Sequence, residues 1–344
     1  MLYNNIPGTQ IKVSKICLGT MTWGQQNNEA EGHSQMDLAV EKGINFFDTA
    51  EMYPIPAGGE TQGKTEKIIG SWFKKTGKRE DIILAGKIAG PGRSMAHIRN
   101  NLGFGKEALE DAINKSLKRL QTDYIDLYQL HWPERKSNYF GIKEYEHDEE
   151  EEWKDNFAEV LDHLKEFIRK GKIRHIGLSN ESPYGVMRFV EEARKGAQGI
   201  RTVQNPYSLL NRKDEIGLTE IYHREKIGLL PYSPLGMGTL TGKYLDAKPA
   251  NSRLSLFPQY SRYSNAHAVA ATGKYCELAN SYNIAPAQMA LAFVNSRPFV
   301  TSTIIGATSL EQLEQNINSI EVDLSEEMIR QINEIHQEIP NPAP

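Results

Sequence analysis

A chain of 344 residues, 39% hydrophobic and 24% charged, has ordinary globular composition and the length for two average domains or one large barrel. Its formal net charge of -4 at pH 7 and pI of about 6.2 leave no basic field of the kind that phosphate-backbone binding needs, so nucleic acid is not an expected partner. Cys17 and Cys276 are too few for a disulfide framework, and neither a basic leader in MLYNNIPGT nor any apolar run near the length of a membrane span is present, so a soluble cytoplasmic protein is expected.

The first element, in LYNNIPGTQIKVS, is a predicted hairpin: Pro7-Gly8 is turn chemistry between two alternating stretches, and such a hairpin suits the floor of a barrel. Short β-rich runs then recur at 16–18, 44–47, 81–85, 124–130, 173–178, 202–204, 227–231 and 302–305. Helical spacing occupies 34–42, 60–76, 105–120, 156–170, 183–195, 212–226, 267–295 and 309–318, the last with Ser309 as N-cap and Glu311 in its first turn. Strict alternation of this kind implies parallel strands with right-handed crossovers. Eight units without a break in composition predict an α/β chain folded as one closed (β/α)8 TIM barrel over 1–344, with an N-terminal β-hairpin and long loops at the C-terminal face.

Function in such barrels gathers where strands end. The second strand delivers Asp48 and then Tyr53, the third (IILAGK) ends on Lys87, and the fourth (YIDLYQLHWP) ends on His131. Taken singly these read as a turn or helix cap, a rim tyrosine, a solvated lysine and a satisfied core histidine. Together they assemble a chemistry. A neighbouring ammonium lowers the pKa of a phenol that is otherwise a poor acid near neutrality; a buried lysine stays charged only beside a carboxylate; a neutral imidazole orients a carbonyl. Lys87, Asp48 and His131 supply these three parts around Tyr53, which is then an acid poised to protonate an oxygen while something else, most naturally hydride, attacks the carbon.

With these residues in place the chain resembles the aldo-keto reductases, and most of all their bacterial Tas-type branch, which is similar to the β subunits of potassium channels. Asp48, Tyr53, Lys87 and His131 match that family's catalytic tetrad in type, order and approximate spacing. The resemblance implies NADP(H)-dependent reduction of aldehydes or ketones with Tyr53 as proton donor. It implies nicotinamide contacts from Ser179 and Asn180 in GLSN, from Gln204 in VQNPYSLLNR and from Tyr232 in YSPLGMGTLTGKY, and further cofactor contacts from Asp48, Gly19, Thr20, Met21, Ser233 and Leu235. It also implies adenosine contacts from Gly306, Thr308, Gln312 and Asn316 in IIGATSLEQLEQN, while Gln315 stands where related members often carry a glutamate. Substrate contacts are expected from Trp23, Tyr53, His131 and Trp132. The 2′-phosphate of NADP is expected near the start of the eighth helix, where free amides, Thr308, Ser309 and Gln312 serve as donors, no acid ends the preceding strand, and Glu311 points to solvent. Lys243 and Arg253 are expected in a belt across the pyrophosphate.

The same chain offers competing motifs. GGETQGKT (58–65) matches the phosphate-loop pattern, but Pro54 and Pro56 break any strand leading into Gly58, so Lys64 is read as a surface residue. A metal-dependent hydrolase fails on ligand count, since His175 falls within a strand and His223 within a helix; no metal is expected. A cofactor-holding scaffold or redox sensor with slow turnover, as in channel β subunits, is the alternative of a different class. The acidic stretch KEYEHDEEEEWKD (143–155) reads either as a solvated segment or as an overhang with Trp132, Tyr139, Phe140 and Tyr145 forming an aromatic wall, and the second disfavours anionic substrates. The substrate itself and the oligomeric state are not legible.

Overall fold

The computed structural model describes residues 1–92 and 94–343; of the span 1–344 expected to form one domain, Arg93 and Pro344 lie outside the described residues. Strands β1 (Tyr3–Asn5) and β2 (Lys12–Ser14) pair antiparallel around the Pro7-Gly8 turn. Eight parallel strands follow: β3 (Ile16–Gly19), β4 (Phe46–Asp48), β5 (Ile83–Ile88), β6 (Ile125–Leu130), β7 (Ile173–Ser179), β8 (Ile200–Gln204), β9 (Gly228–Leu229) and β10 (Thr303–Ile305). Their order, β10-β3-β4-β5-β6-β7-β8-β9, is the chain order with the last strand returned beside the first. The two edges meet, because Leu229 bridges to Val300 and the Ile304 amide donates to the Pro231 carbonyl at 2.9 Å. This is the (β/α)8 TIM-type arrangement expected from the alternation of elements.

The helices are α1 (Glu29–Glu41), α2 (Lys64–Thr76), α3 (Lys106–Leu120), α4 (Phe157–Arg169), α5 (Pro183–Arg194), α6 (Asp214–Gly217), α7 (Thr219–Glu225), α8 (Arg253–Leu256), α9 (Ala266–Ser281), α10 (Pro286–Asn295), α11 (Leu310–Asn318) and α12 (Glu326–Glu338). In α4, Phe157, Val160, Leu161, Leu164 and Phe167 form one buried stripe, the spacing that lays a helix against a sheet. Boundaries differ from the periodicity in instructive places. α1 begins five residues before its expected start at 34, because Asn28 and Glu31 form a reciprocal capping box. α2 begins at Lys64, since Gly59 to Gly63 is turn and no strand precedes Gly58 to lead into the phosphate-loop pattern. The expected 267–295 helix is two, separated at Ala285 where Pro286 takes the first position of α10. α8 and α12 went unforeseen; α12 buries Met328 and Ile332 and packs on α9.

Two apolar layers position the site. Outside the sheet, Ile16, Leu18, Phe47 and Leu84 pack beneath the helices; inside it, Cys17, Phe46, Ala85, Leu127, Leu230 and Ile304 fill the barrel. Ile6 and Val13 of the hairpin join that inner group, so the hairpin closes the barrel floor. Side chains alternate along a strand, so the residue two beyond an inward one also faces inward. Two beyond Phe46, Ala85 and Leu127 stand Asp48, Lys87 and Gln129. A polar layer thus rests on the apolar one at the C-terminal end.

Candidate active site

Strand register brings the layer together. Asp48 is a ladder residue of β4 opposite Ala85, and Lys87 a ladder residue of β5 opposite Gln129. Both are therefore inside strands rather than just beyond them, as the shorter sequence-derived strand at 81–85 had implied for Lys87. The Lys87 Nζ donates to Asp48 Oδ2 at 2.6 Å and to the Thr49 carbonyl at 2.7 Å, and lies 3.5 Å from the Tyr53 hydroxyl. The other Asp48 oxygen accepts from Gln204 Nε2 at 2.8 Å and Gln129 Nε2 at 3.2 Å, and Thr20 Oγ1 donates to the Asp48 carbonyl at 2.8 Å. The Tyr53 and His131 rings meet edge to face with centroids 5.9 Å apart, and the imidazole ring lies 5.0 Å from that of Trp132. The four strand-end residues therefore form one cluster.

Its electrostatics follow from burial. Lys87 is fully buried, and burial presses its pKa down, but the Asp48 carboxylate and the Tyr53 hydroxyl outweigh that and hold it above the ordinary lysine value. It remains an ammonium. For Tyr53, burial is the largest influence and raises the phenol; the Lys87 ammonium acts in the opposite sense, as expected, without overcoming it. The expectation of a net lowering is thus corrected, because a phenolate loses its hydration in this site. The consequence is a tyrosine fully protonated near neutral pH.

The residues expected at a nicotinamide lie on the adjoining arc. Asn180, with a φ of 54°, donates from its side chain to the His131 carbonyl at 2.8 Å and to Ser179 Oγ at 3.0 Å, and accepts from the Tyr232 hydroxyl at 2.6 Å. Ser179 Oγ donates to the Gln204 carbonyl at 2.8 Å. Ser233 and Leu235 begin the turn that leads into a short 3-10 helix, Gly236–Thr241. Lys243 is exposed and folds over the Tyr244 ring at 5.2 Å. Burial depresses the pKa of half-buried Arg253, and its charged-state neighbours among the described residues are the tyrosines Tyr244, Tyr260 and Tyr53.

At the far end, Gly306 and Thr308 are exposed, and a side chain at Gly306 would meet nothing within 4 Å. Ser309 caps α11 by accepting from the Gln312 amide, as the sequence predicts, and Gln312 Oε1 accepts from both the amide and the hydroxyl of Thr308 at 3.1 Å. Asn316 Nδ2 donates to the Gly306 carbonyl at 3.2 Å.

Some expected contacts have other duties. Trp23 is wholly buried, packs on Gly32 of α1 and donates its indole N–H to Gln35 at 2.9 Å, so it belongs to the outer core and not to a substrate wall; its apolar bulk buried under a helix is the physical reason. Trp132 is 1% exposed and hydrogen-bonded to the Pro91 carbonyl, which puts it behind His131 rather than on an open face. Gly19 is explained by packing, since a Cβ there would sit 2.8 Å from the Ile305 carbonyl of the neighbouring strand. Met21 packs with the Tyr53 group, and its carbonyl accepts from the Ile55 amide at 2.9 Å.

Gln129 and Asn27 were missed. Alternation from Leu127 identifies Gln129 as inward, the one signal available for it. Asn27 Nδ2 donates to the Thr308 carbonyl at 3.0 Å, while its buried Oδ1 has no donor among the described residues, a feature that only tertiary contact reveals.

The acidic loop after β6 is largely exposed along 144–150, and Glu146 and Asp148 lie 3.4 and 3.7 Å from Lys136 Nζ. Tyr139 and Phe140 pack toward Tyr53 and Trp132, with the Phe140 and Trp132 rings 5.9 Å apart, while Tyr145 is exposed. The aromatic wall is therefore real in part; residues 144–150 are exposed, while Glu151 lies beside the wall and accepts from the Tyr145 hydroxyl at 3.3 Å. No helix among the described residues is long and apolar enough to cross a membrane.

Comparison with known proteins accords with this geometry. The chain is 48% identical to the protein tas of Escherichia coli K12, with all of both chains covered. It is 29% identical to the aldo-keto reductase yakc [NADP(+)] of Schizosaccharomyces pombe over 92% of this chain and 86% of that one. It is also 29% identical to a probable voltage-gated potassium channel subunit beta of Arabidopsis thaliana, covering 94% and 92%. The model of the aldo/keto reductase family matches residues 15–337, and the chain belongs to that family of oxidoreductases.

Proposed function

We propose that this chain, acting as a single aldo-keto reductase unit in the cytoplasm, reduces aldehydes or ketones to alcohols with NADPH, and that Tyr53 donates the proton. The observation that carries this reading is Lys87 Nζ, wedged between Asp48 Oδ2 at 2.6 Å and the Tyr53 hydroxyl at 3.5 Å inside the barrel mouth. Bound NADPH supplies the hydride that reaches the carbonyl carbon. His131 orients the carbonyl oxygen, Tyr53 protonates that oxygen, and the fixed Lys87 charge stabilises the phenolate left behind. Asp48, held by Gln129 and Gln204, keeps Lys87 charged.

The residues present fit the cofactor. Arg253, desolvated, with no carboxylate partner among the described residues, suits a pyrophosphate or the 2′-phosphate. The orphaned Asn27 Oδ1 suits a ribose hydroxyl, and the open cone at Gly306 permits close approach. Thr308, Ser309, Gln312 and Asn316 complete that end, a phosphate there exchanging the exposed Gln312 contact for its own. Ser179, Asn180, Gln204 and Tyr232 hold the nicotinamide, with Ser233, Leu235 and Lys243 along the path between. A relative bearing NADP(+) in its name supports the choice of nucleotide.

The test is steady-state NADPH consumption over a panel of aldehydes, quinones and ketoses with the alcohol identified. Multiple turnovers support the reductase; stoichiometric oxidation without turnover favours the slow redox scaffold.

A further inference from the structure

Beside the tetrad lies a half-open cavity of about 640 Å³, framed by the β6–α4 loop, the start of α5 and the segment from Asn205 to Leu218. It lies within the size range of small-molecule sites, and aromatic side chains, Tyr139, Phe140 and Tyr184 among them, line it. It adjoins the reaction centre. Asn180, on its wall, is bonded to the His131 carbonyl and the Tyr232 hydroxyl, and Tyr139 and Phe140 pack in the same cluster as Tyr53.

Its charges are unevenly matched. Arg135 is paired with Glu181, Lys136 lies against Glu146 and Asp148, and Glu151 accepts the Lys136 amide at 2.8 Å. The Asp214 carboxylate is engaged by the Tyr222 hydroxyl at 2.7 Å and by Asn205. Lys143 and Lys213, both on the cavity wall, form no ion pair among the described residues. Burial presses the Lys213 ammonium below its ordinary pKa; the neighbouring Asp214 carboxylate pulls it the other way, and the Lys143 charge, close enough to be felt, adds a smaller push downward. An oxyanion between them gives both ammonium groups a counter-charge; residues 144–150 of the acidic run are exposed, and Glu151, on the cavity wall, is already engaged by the Lys136 amide and the Tyr145 hydroxyl.

We propose that this cavity receives the distal arm of the carbonyl substrate, an extended aromatic or apolar arm ending in an oxyanion, carboxylate or phosphate, that Lys143 and Lys213 hold. This rests on the carbonyl-reductase reading and narrows its substrate class. It also reverses the expectation that the acidic loop disfavours anionic substrates.

The experiment compares 4′-formylbiphenyl-4-carboxylate and its phosphate analogue with the neutral methyl ester, using NADPH, on the wild-type protein and on Lys143→Met/Lys213→Met. Expected is a wild-type kcat/KM at least about tenfold higher for an anionic aldehyde than for the ester, one charge-assisted contact's worth. The double variant should lose that preference through KM, with kcat and turnover of plain benzaldehyde unchanged. Which anion gains more tells carboxylate from phosphate. Equal kcat/KM for anionic and neutral aldehydes, or a preference that survives the double variant, overturns the proposal. Absence of any turnover, benzaldehyde included, overturns the reductase reading instead. In that event calorimetric titration with biphenyl-4-carboxylate decides for the cavity: binding lost in the variant supports it, and no binding to the wild type refutes it. Should the double variant not fold, Lys143→Gln, at an exposed position, carries the same comparison.

Discussion

Tyr53→Phe removes one hydroxyl from a ring whose edge-to-face contact with His131 and whose place under the Lys87 ammonium, 4.9 Å from its centroid, do not need that hydroxyl. Carbonyl reduction should fall at least about a hundredfold, the low end for general acid catalysis, with NADPH affinity unchanged. Near-wild-type turnover would remove Tyr53 as donor. Lys87→Met acts differently, because it strands Asp48 as a buried carboxylate with only amide donors; loss of a buried partner costs about 3–5 kcal/mol. Asp48→Asn in that background should restore part of the lost stability, read as a higher unfolding midpoint, while adding little to the kinetic loss, since groups acting as a unit are non-additive. Multiplicative kinetic losses, or a double variant less stable than Lys87→Met, would show that the two do not work as a pair.

Among the elements, the short helix α6 has a measurable pH signature. Burial raises Asp214 to about 6 from an ordinary value of 3.8, although Tyr222 and Asn205 donate to it. The folded state therefore holds a proton that the unfolded state has released between those two values. Stability contributed by the protonated form is complete below the lower value, declines as pH rises through the window, and is level above it. Asp214→Asn abolishes that decline. In denaturant titrations from pH 4 to 7.5, the variant should gain on the wild type with rising pH by roughly 2–3 kcal/mol in all, at about 1.4 kcal/mol per unit. A constant difference across that range would show that Asp214 titrates normally. Helix boundaries teach a related lesson: α1 and α10 are set by Asn28 with Glu31 and by Pro286, residues whose backbone chemistry overrides the apolar period on either side of them.

Taken as a whole, the molecule keeps its proposed cofactor positions far apart in sequence and joins them only through closure of the sheet. Asn27, in the loop before α1, reaches Thr308 beyond β10, and Gln204 of β8 reaches Asp48 of β4. A nucleotide spanning that ring should stabilise the fold globally. Titration by intrinsic fluorescence is expected to give NADPH at least about tenfold tighter binding than NADH, roughly 1.4 kcal/mol, with a correspondingly larger rise in unfolding temperature at equal concentration. Equal affinities would overturn the NADP assignment and move attention to Glu311, the acid in the first turn of α11.

The amino-acid sequence by itself determined the barrel, because strand and helix periods alternate eight times and each is a local property. It likewise put Asp48, Lys87 and His131 at successive strand ends, since an apolar run that ends on a polar group is local too. Tertiary structure alone decided what those ends meet. Whether Trp23 lines a site or a core depends on which helix covers it, and Gln35 with Gly32 answers that. The sign of the net shift at Tyr53 depends on how much water the closed barrel excludes, and burial outweighs Lys87 there. The direction in which the acidic loop turns its carboxylates was equally beyond reach, because solvent-facing and cavity-facing charges read alike until Lys143 and Lys213 are brought to one wall by elements about seventy residues apart in the chain.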